Sequence, residues 1–316
     1  MLLRLLPFLK QGKGGMCMAV LTFSVPSEWD KKPVGEFLRR AHGVSGTTLK
    51  LAKRIPGGIT QNGIHVRTVD PACAGAQIRL VVDGETHSYR PLFLDVPVLY
   101  EDGFFAAFDK PAGLASHPSR GHPYDTMANV YAARPQTAGL VYRPLGRLDR
   151  DTSGVLLAAK NAHAAYAARI TEKRYLALLC GELPRVNGAI DAPIGREGED
   201  TPRRIVRPDG QRAVTRWHVI CAEKGFTLAE LWLETGRTHQ IRVHMAHLGC
   251  PLAGDALYGG RADLIERQAL HCARLVFYHP MEEREISVSA PAARDFLRAM
   301  RKAFPGFHPD AEGIFP

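Results

Sequence analysis

The sequence predicts an α+β chain, with a mixed, mostly antiparallel sheet preceded by a small α/β unit. Three observations carry this reading. Beyond residue 98, short apolar strand patterns alternate with only a few helical segments, and no regular βαβ period appears. Before residue 89, two short helical patterns and a hairpin signal make a unit of their own. A proline-punctuated stretch over 89–97 separates the two. The 316 residues suffice for two units. The expected order is a leader over 1–18, a small unit over 19–88, a linker over 89–97, a large unit over 98–305 and a tail over 306–316.

In the small unit, Val34, Phe37, Leu38 and Ala41 share one helical face, and Gly43 marks its stop. A second helix begins after Ser45, a natural N-cap. Asn62-Gly63 between two short strands signals a tight hairpin. Basic residues Arg39, Lys50, Lys53 and Arg54 fall on or just after the helices. On pattern alone a solvated helix face accounts for them.

The large unit opens with a strand, a turn at Asp102-Gly103 and a second strand. Helices are expected over 126–133, 162–173, 239–248 and 292–303. Strands are expected over 154–159, 175–180, 214–220, 227–233, 270–278 and 285–288. Residues 191–212, with Arg196, Arg203, Arg204 and Arg207, read as an exposed basic loop or hairpin.

Composition narrows the function. The chain is 45% hydrophobic and 23% charged, as an ordinary globular protein is. Its net charge of +9 suits a polyanionic partner, because phosphates bound by cations release their counterions. The six cysteines include no CxxC pair, so reduced thiols in a cytosolic protein are expected. The apolar start, MLLRLLPFLK, stops at Lys10 with no small-residue cleavage site after it. It reads as a disordered leader or a mis-assigned start, with Met16 and Met18 close by. No run is apolar enough to span a membrane.

Three segments carry chemistry. In GRLDRDTSG, Arg147, Asp149, Arg150 and Asp151 precede a tight turn into an apolar strand. A carboxylate there would be held on rigid backbone, with arginines near enough to keep it ionised; taken alone, a solvated charged turn accounts for the cluster as well. In EKRYLALL, Tyr175 opens a buried strand. In ETGRTHQIRVHMAHLG, Arg237, His239, Gln240, Arg242, His244 and His247 cluster behind another strand. His244 and His247 lie three apart, which raises a metal site using His239 as well. There is no HExxH and no clear third ligand, so hydrogen-bonded histidines and no metal are expected.

Together these segments resemble the RluA family of pseudouridine synthases. The family's HRLDxxTSG is met by GRLDRDTSG, its KxYxAL by residues 173–178, and its GRTHQIRVHxxxxGxPxxGDxxYG by residues 236–259. DKPAGL over 109–114 matches the family's DKPxGL. The resemblance covers residues 98–291. One departure stands out: Gly146 replaces the usual His before Arg-Leu-Asp. The small unit resembles, more loosely, an RNA-binding domain of the ribosomal-protein-S-four type.

The resemblance implies a pseudouridine synthase fold and uridine isomerisation in structured RNA without metal or organic cofactor. Ribosomal RNA of the large subunit is the first expected target, and transfer RNA the alternative. Asp149 is implied as the catalytic carboxylate, acting as nucleophile or as a base that yields a glycal-like intermediate. Arg237 is implied as its basic partner, Tyr175 as the ring stacked on the target base, and Ile241 as the apolar wall opposite. Arg147 and Arg150, with Gln240 and Arg242, are implied in substrate binding, and Arg39, Lys50, Lys53 and Arg54 in anchoring RNA. A monomer is expected. A catalytically dead RNA-binding or ribosome-assembly protein is the rival from another class, and a metal hydrolase the second.

Overall fold

The computed structural model describes residues 19–82, 89–119, 121–138 and 140–307. The leader expected over 1–18 and residues 308–316 of the expected tail lie outside the described residues.

Residues 19–82 form a four-stranded antiparallel sheet with two helices. Its strands are β1 (Ala19–Ser24), β2 (Ile59–Gln61), β3 (Ile64–His65) and β4 (Gln77–Val82), in the order β1-β4-β2-β3. Helix α1 (Val34–Arg40) buries Val34, Phe37 and Leu38 of the expected face, while Ala41, also expected on it, is the exposed C-cap residue. It stops where Gly43 turns to φ +63° and Val44 N–H bonds back to Leu38 O. Helix α2 (Gly46–Ala52) starts at Ser45, whose hydroxyl accepts from Thr48 N–H at 3.0 Å. Asn62 and Gly63 both take positive φ, 50° and 85°, which is the hairpin turn between β2 and β3.

Residues 89–97 carry no regular structure. Beyond them the second sheet builds up from β5 (Val98–Glu101), β6 (Phe105–Lys110), β7 (Arg143–Pro144), β8 (Ser153–Ala159), β9 (Arg169–Cys180) and β10 (Asn187–Asp191). A separate hairpin follows, β11 (Ile194–Arg196) with β12 (Arg204–Val206), inside the segment expected to be a basic loop or hairpin. Then come β13 (Val214–Glu223), β14 (Phe226–Leu233), β15 (Leu270–His279) and β16 (Arg284–Ser289). The main path runs β10-β13-β14-β9-β15-β8-β6-β5, with β16 on β15 and β7 on β8. Among the described strand pairings only β15–β8 is parallel, so the expected mixed, mostly antiparallel sheet is what forms.

The helices of this region are α3 (Met127–Ala133), α4 (Ala162–Ala167), α5 (Gln240–His247) and α6 (Arg294–Ala303). Among the described residues no helix is long and apolar enough to cross a membrane. One expectation fails: the helix over 162–173 ends at Ala167, and β9 begins at Arg169. Ile170 and Thr171 are β-branched, and pairing of this stretch with β15, including Ile170 with Phe277, outweighs its helical pattern.

Strand β9 shows how the core divides. Tyr175, Ala177 and Leu179 join one buried cluster, while Leu176 and Leu178 join another with Phe296, Ala299 and Met300 of α6. A two-residue period sends alternate side chains to opposite faces, so a strand covered on both sides reads as an unbroken apolar run.

Gly154 sits where β8 meets β15, at φ +107°. A Cβ there would lie 2.2 Å from Cys272 O. Gly154→Ala is therefore expected to destabilise the fold by about 3 kcal/mol, through backbone strain and overpacking. Urea denaturation checks this; a loss below about 0.5 kcal/mol, the range of a neutral surface change, would contradict it.

Candidate active site

Asp149 lies on the loop between β7 and β8, and the main chain around it is fixed residue by residue. Ser116 Oγ donates to Leu148 O at 2.7 Å and accepts from Leu148 N–H at 3.0 Å. Thr152 N–H closes a turn onto Asp149 O. Arg150 O accepts from Gly113 N–H and from Lys110 Nζ, the latter at 2.8 Å. Arg267 Nη1 reaches Asp151 O at 3.0 Å, while Asp295 of α6 holds the same guanidinium through Nε and Nη2. Lys110 is completely buried and also bonds Pro111 O and Leu114 O. Burial pushes its ammonium down to about 7, with Asp151 and Asp149 pulling the other way. A reacting carboxylate on such a loop has little freedom to wander.

The loop forms one wall of a cleft of about 940 Å³. Tyr175 and Lys173 of β9, Gln240, Ile241 and Arg242 of α5, and residues 233–239 are among its other lining residues. Arg242 Nη1 meets Asp149 Oδ2 at 3.2 Å. Its Nε and Nη2 are gripped by Asp255 at 2.7 and 2.8 Å, and Asp255 is 1% exposed. The guanidinium also lies 5.0 Å from the Tyr258 ring centroid. Burial alone would lower the Arg242 pKa, but Asp255 and then Asp149 outweigh it and hold the group charged. A two-pronged anchor on one carboxylate thus aims the remaining nitrogen at the other.

This corrects the pairing expected of Arg237. Its side chain lies exposed at the rim, where Nε donates to Arg212 O at 3.0 Å. Helix α5 starts only at Gln240, so Arg237 stays on the approaching loop while Arg242 falls within the helix and is buried. Gln240 departs from its expected role in substrate binding too. Its Oε1 accepts from Arg237 N–H and Thr235 Oγ1, and its Nε2 donates to Val214 O and Thr215 Oγ1. With its amide fully engaged and 2% exposed, it fixes the loop to β13.

Tyr175 and Ile241 are each 4% exposed and line the cleft with Asp149. Burial, with the charge of Asp149 adding to it, raises the Tyr175 phenol well above its ordinary value, so the ring is neutral. Arg147 Nη2 donates to Thr238 Oγ1 at 3.1 Å, and the Arg150 side chain pairs with Asp151 at 3.0 Å; both are exposed in the cleft lining. Arg39, Lys50, Lys53 and Arg54 are exposed on the small unit, and none lines the cleft.

The histidines do not converge as a metal centre would. His244 uses Nδ1 with Thr215 Oγ1 and Nε2 with Ala192 O. His239 takes the left-handed conformation at φ +57°, bonds Tyr258 OH through Nδ1, and brings Nε2 to 4.0 Å from Asp149 Oδ2. Among the described residues, no group of three metal-ligating side chains includes His239, His244 or His247.

Sequence reasoning missed Asp255, Arg267, Lys110 and Ser116. For Asp255 a signal existed: it is the one acidic residue between Gly236 and Gly260, and a buried arginine in that segment needs a carboxylate. For Arg267 there was none, because its partners lie 116 and 28 residues away.

Comparison with known proteins places the chain in a family. Residues 105–247 match the family model described as RNA pseudouridylate synthase. The RNA pseudouridine synthase YjbO of Bacillus subtilis is 39% identical over 272 residues, covering 82% of this chain and 95% of that one. Ribosomal large subunit pseudouridine synthase D of Pseudomonas aeruginosa is 35% identical over 283 residues, covering 79% and 87%. Among solved structures, human RNA pseudouridylate synthase domain containing 1 superposes with a TM-score of 0.52 at 26% identity, over 66% of this chain and 86% of that one. The chain belongs to the RNA pseudouridine synthases, isomerases of uridine in RNA, and to their RluA-type branch.

Proposed function

We propose that this chain converts specific uridines of large-subunit ribosomal RNA to pseudouridine in the cytoplasm, with Asp149 as the reacting carboxylate. The observation that carries the reading is the Asp149–Arg242 pair, on rigid backbone, in a cleft walled by Tyr175 and Ile241. Ribosomal RNA is favoured because several relatives are named large-subunit synthases. The reaction breaks the bond from C1′ to N1, turns the base and joins C1′ to C5. The proton lost at C5 is balanced by one gained at N1, so no redox partner or group donor is needed. Asp149 attacks C1′, or removes the C2′ proton as the C1′–N1 bond breaks to leave a glycal; either role needs an ionised carboxylate at the C1′–C2′ edge of the ribose. Arg242 keeps that charge in place. The flat Tyr175 ring and Ile241 hold the detached base between them, and Arg147 and Arg150 meet the strand from which the uridine is extruded. No metal or organic cofactor enters this scheme.

The test is pseudouridine mapping after incubating purified protein with unmodified ribosomal RNA transcripts. Site-specific conversion in the large-subunit transcript is expected. Conversion confined to transfer RNA would replace the proposed substrate, and none in any RNA would favour the dead-enzyme rival.

The unit over 19–88 is proposed as the RNA anchor, with 89–97 as linker. Replacing Arg39, Lys50, Lys53 and Arg54 together by Gln should lower the salt slope of RNA binding by up to about 3. An unchanged slope would make the unit a structural appendage.

A further inference from the structure

Gly146, which stands where the resembling family carries His, shapes the cleft in a way the reaction scheme does not use. It adopts φ +91°, and a Cβ added there would lie 2.7 Å from Lys173 Nζ and 3.7 Å from Ile170 Cδ1. Any larger side chain at 146 would contest the ammonium's position. Lys173 is two residues before Tyr175 on β9, hence on the same side of the strand, and both line the cleft with Gly146.

The ammonium is partly buried and has no anionic partner among the described residues. The acidic residues lining the cleft near it are otherwise engaged: Glu172 with Arg174, Glu234 with Arg216, and Asp151 with Arg150. Asp149 is held by Arg242. Burial lowers the Lys173 pKa, and Cys272 is the group that opposes it. A cation drawn out of water with no counter-charge costs stability, and a ligand that supplies the charge offsets that cost.

We propose that Lys173, in the space left open by Gly146, seats a backbone phosphate flanking the extruded uridine. This rests on the reading of the cleft as the site of uridine isomerisation. An anionic diester is the group of an RNA strand that matches a lone ammonium, and Lys suits it as a point charge. Lys173 is then a residue that sets how the target strand enters, and Gly146 is what gives it room.

The experiment measures binding of an in vitro transcribed large-subunit ribosomal RNA against salt, together with kcat and KM, for wild type, Lys173→Met and Lys173→Arg. Loss of one phosphate contact should lower the salt slope by about 0.7 to 0.9, which is roughly a five- to eightfold weaker affinity near 0.1 M salt. The loss should fall on KM rather than kcat. Lys173→Arg should restore most of the affinity, and Lys173→Met should melt no lower than wild type, since it removes an unpaired cation. An unchanged slope, or a loss confined to kcat, would overturn the proposal; the second result would place Lys173 at the detached base. Lower melting of Lys173→Met without rescue by Arg would also overturn it, making Lys173 structural. If wild type bound this RNA but formed no pseudouridine, the functional reading would fail separately, and the salt slopes would still decide the phosphate contact.

Discussion

Asp149→Asn is expected to lower pseudouridine formation by more than about a thousandfold while leaving the protein folded and able to bind RNA. An amide matches the carboxylate in shape but can neither attack C1′ nor take a ribose proton, so the chemical step loses its reacting group. The fold has little at stake in the change. The loop is held through main-chain groups, by Ser116, Lys110, Gly113 and Arg267, and not through the Asp149 side chain. Arg242 keeps its two-pronged partner Asp255, so no buried cation is orphaned. Rates on the same transcript, a melting curve and an RNA-binding isotherm check all three parts. Near-normal turnover would remove Asp149 from the chemistry, and a collapsed melting curve would make it a structural residue.

Arg242→Met should damage both stability and turnover, for separable reasons. Asp255 would remain as a buried carboxylate without its cation, at a cost of roughly 3–5 kcal/mol. Asp149 would lose the group that aims it, and turnover should fall by about a hundredfold or more. Adding Asp255→Asn removes the stranded charge. The pair Arg242→Met/Asp255→Asn should therefore recover most of the stability and little of the activity. Arg242→Lys should fall between, since an ammonium keeps the charge but cannot span both carboxylates as the fork does. Recovery of turnover together with stability in the double variant would confine Arg242 to a structural role.

What was legible in the sequence was local. The helices after Pro33 and Ser45 and the Asn62-Gly63 turn are set by capping and backbone preference within a few residues. Asp149, Tyr175 and Ile241 were legible because each sits in a short segment of recognisable pattern, and the fold brings all three to one cleft. What escaped depended on long-range geometry. Arg237 and Arg242 lie five residues apart in one motif, and only the start of α5 at Gln240 decides which of them is buried beside Asp149. The stretch after Ala167 has helical composition, but its partner strand, a hundred residues on, makes it β9. Gly154 could be read as a turn glycine; that it is required by the carbonyl of Cys272 could not. The opening that Gly146 leaves for Lys173 likewise exists only once β9 and the loop between β7 and β8 are side by side.

The central claim, that this chain makes pseudouridine through Asp149, meets its most direct test in cells. Total RNA from a strain lacking the gene is mapped for pseudouridine beside RNA from its parent and from the strain complemented with wild type or Asp149→Asn. One or more large-subunit sites should vanish with the gene, return with wild type and stay absent with Asp149→Asn. Sites restored equally by Asp149→Asn, or a map unchanged by loss of the gene, would contradict the account.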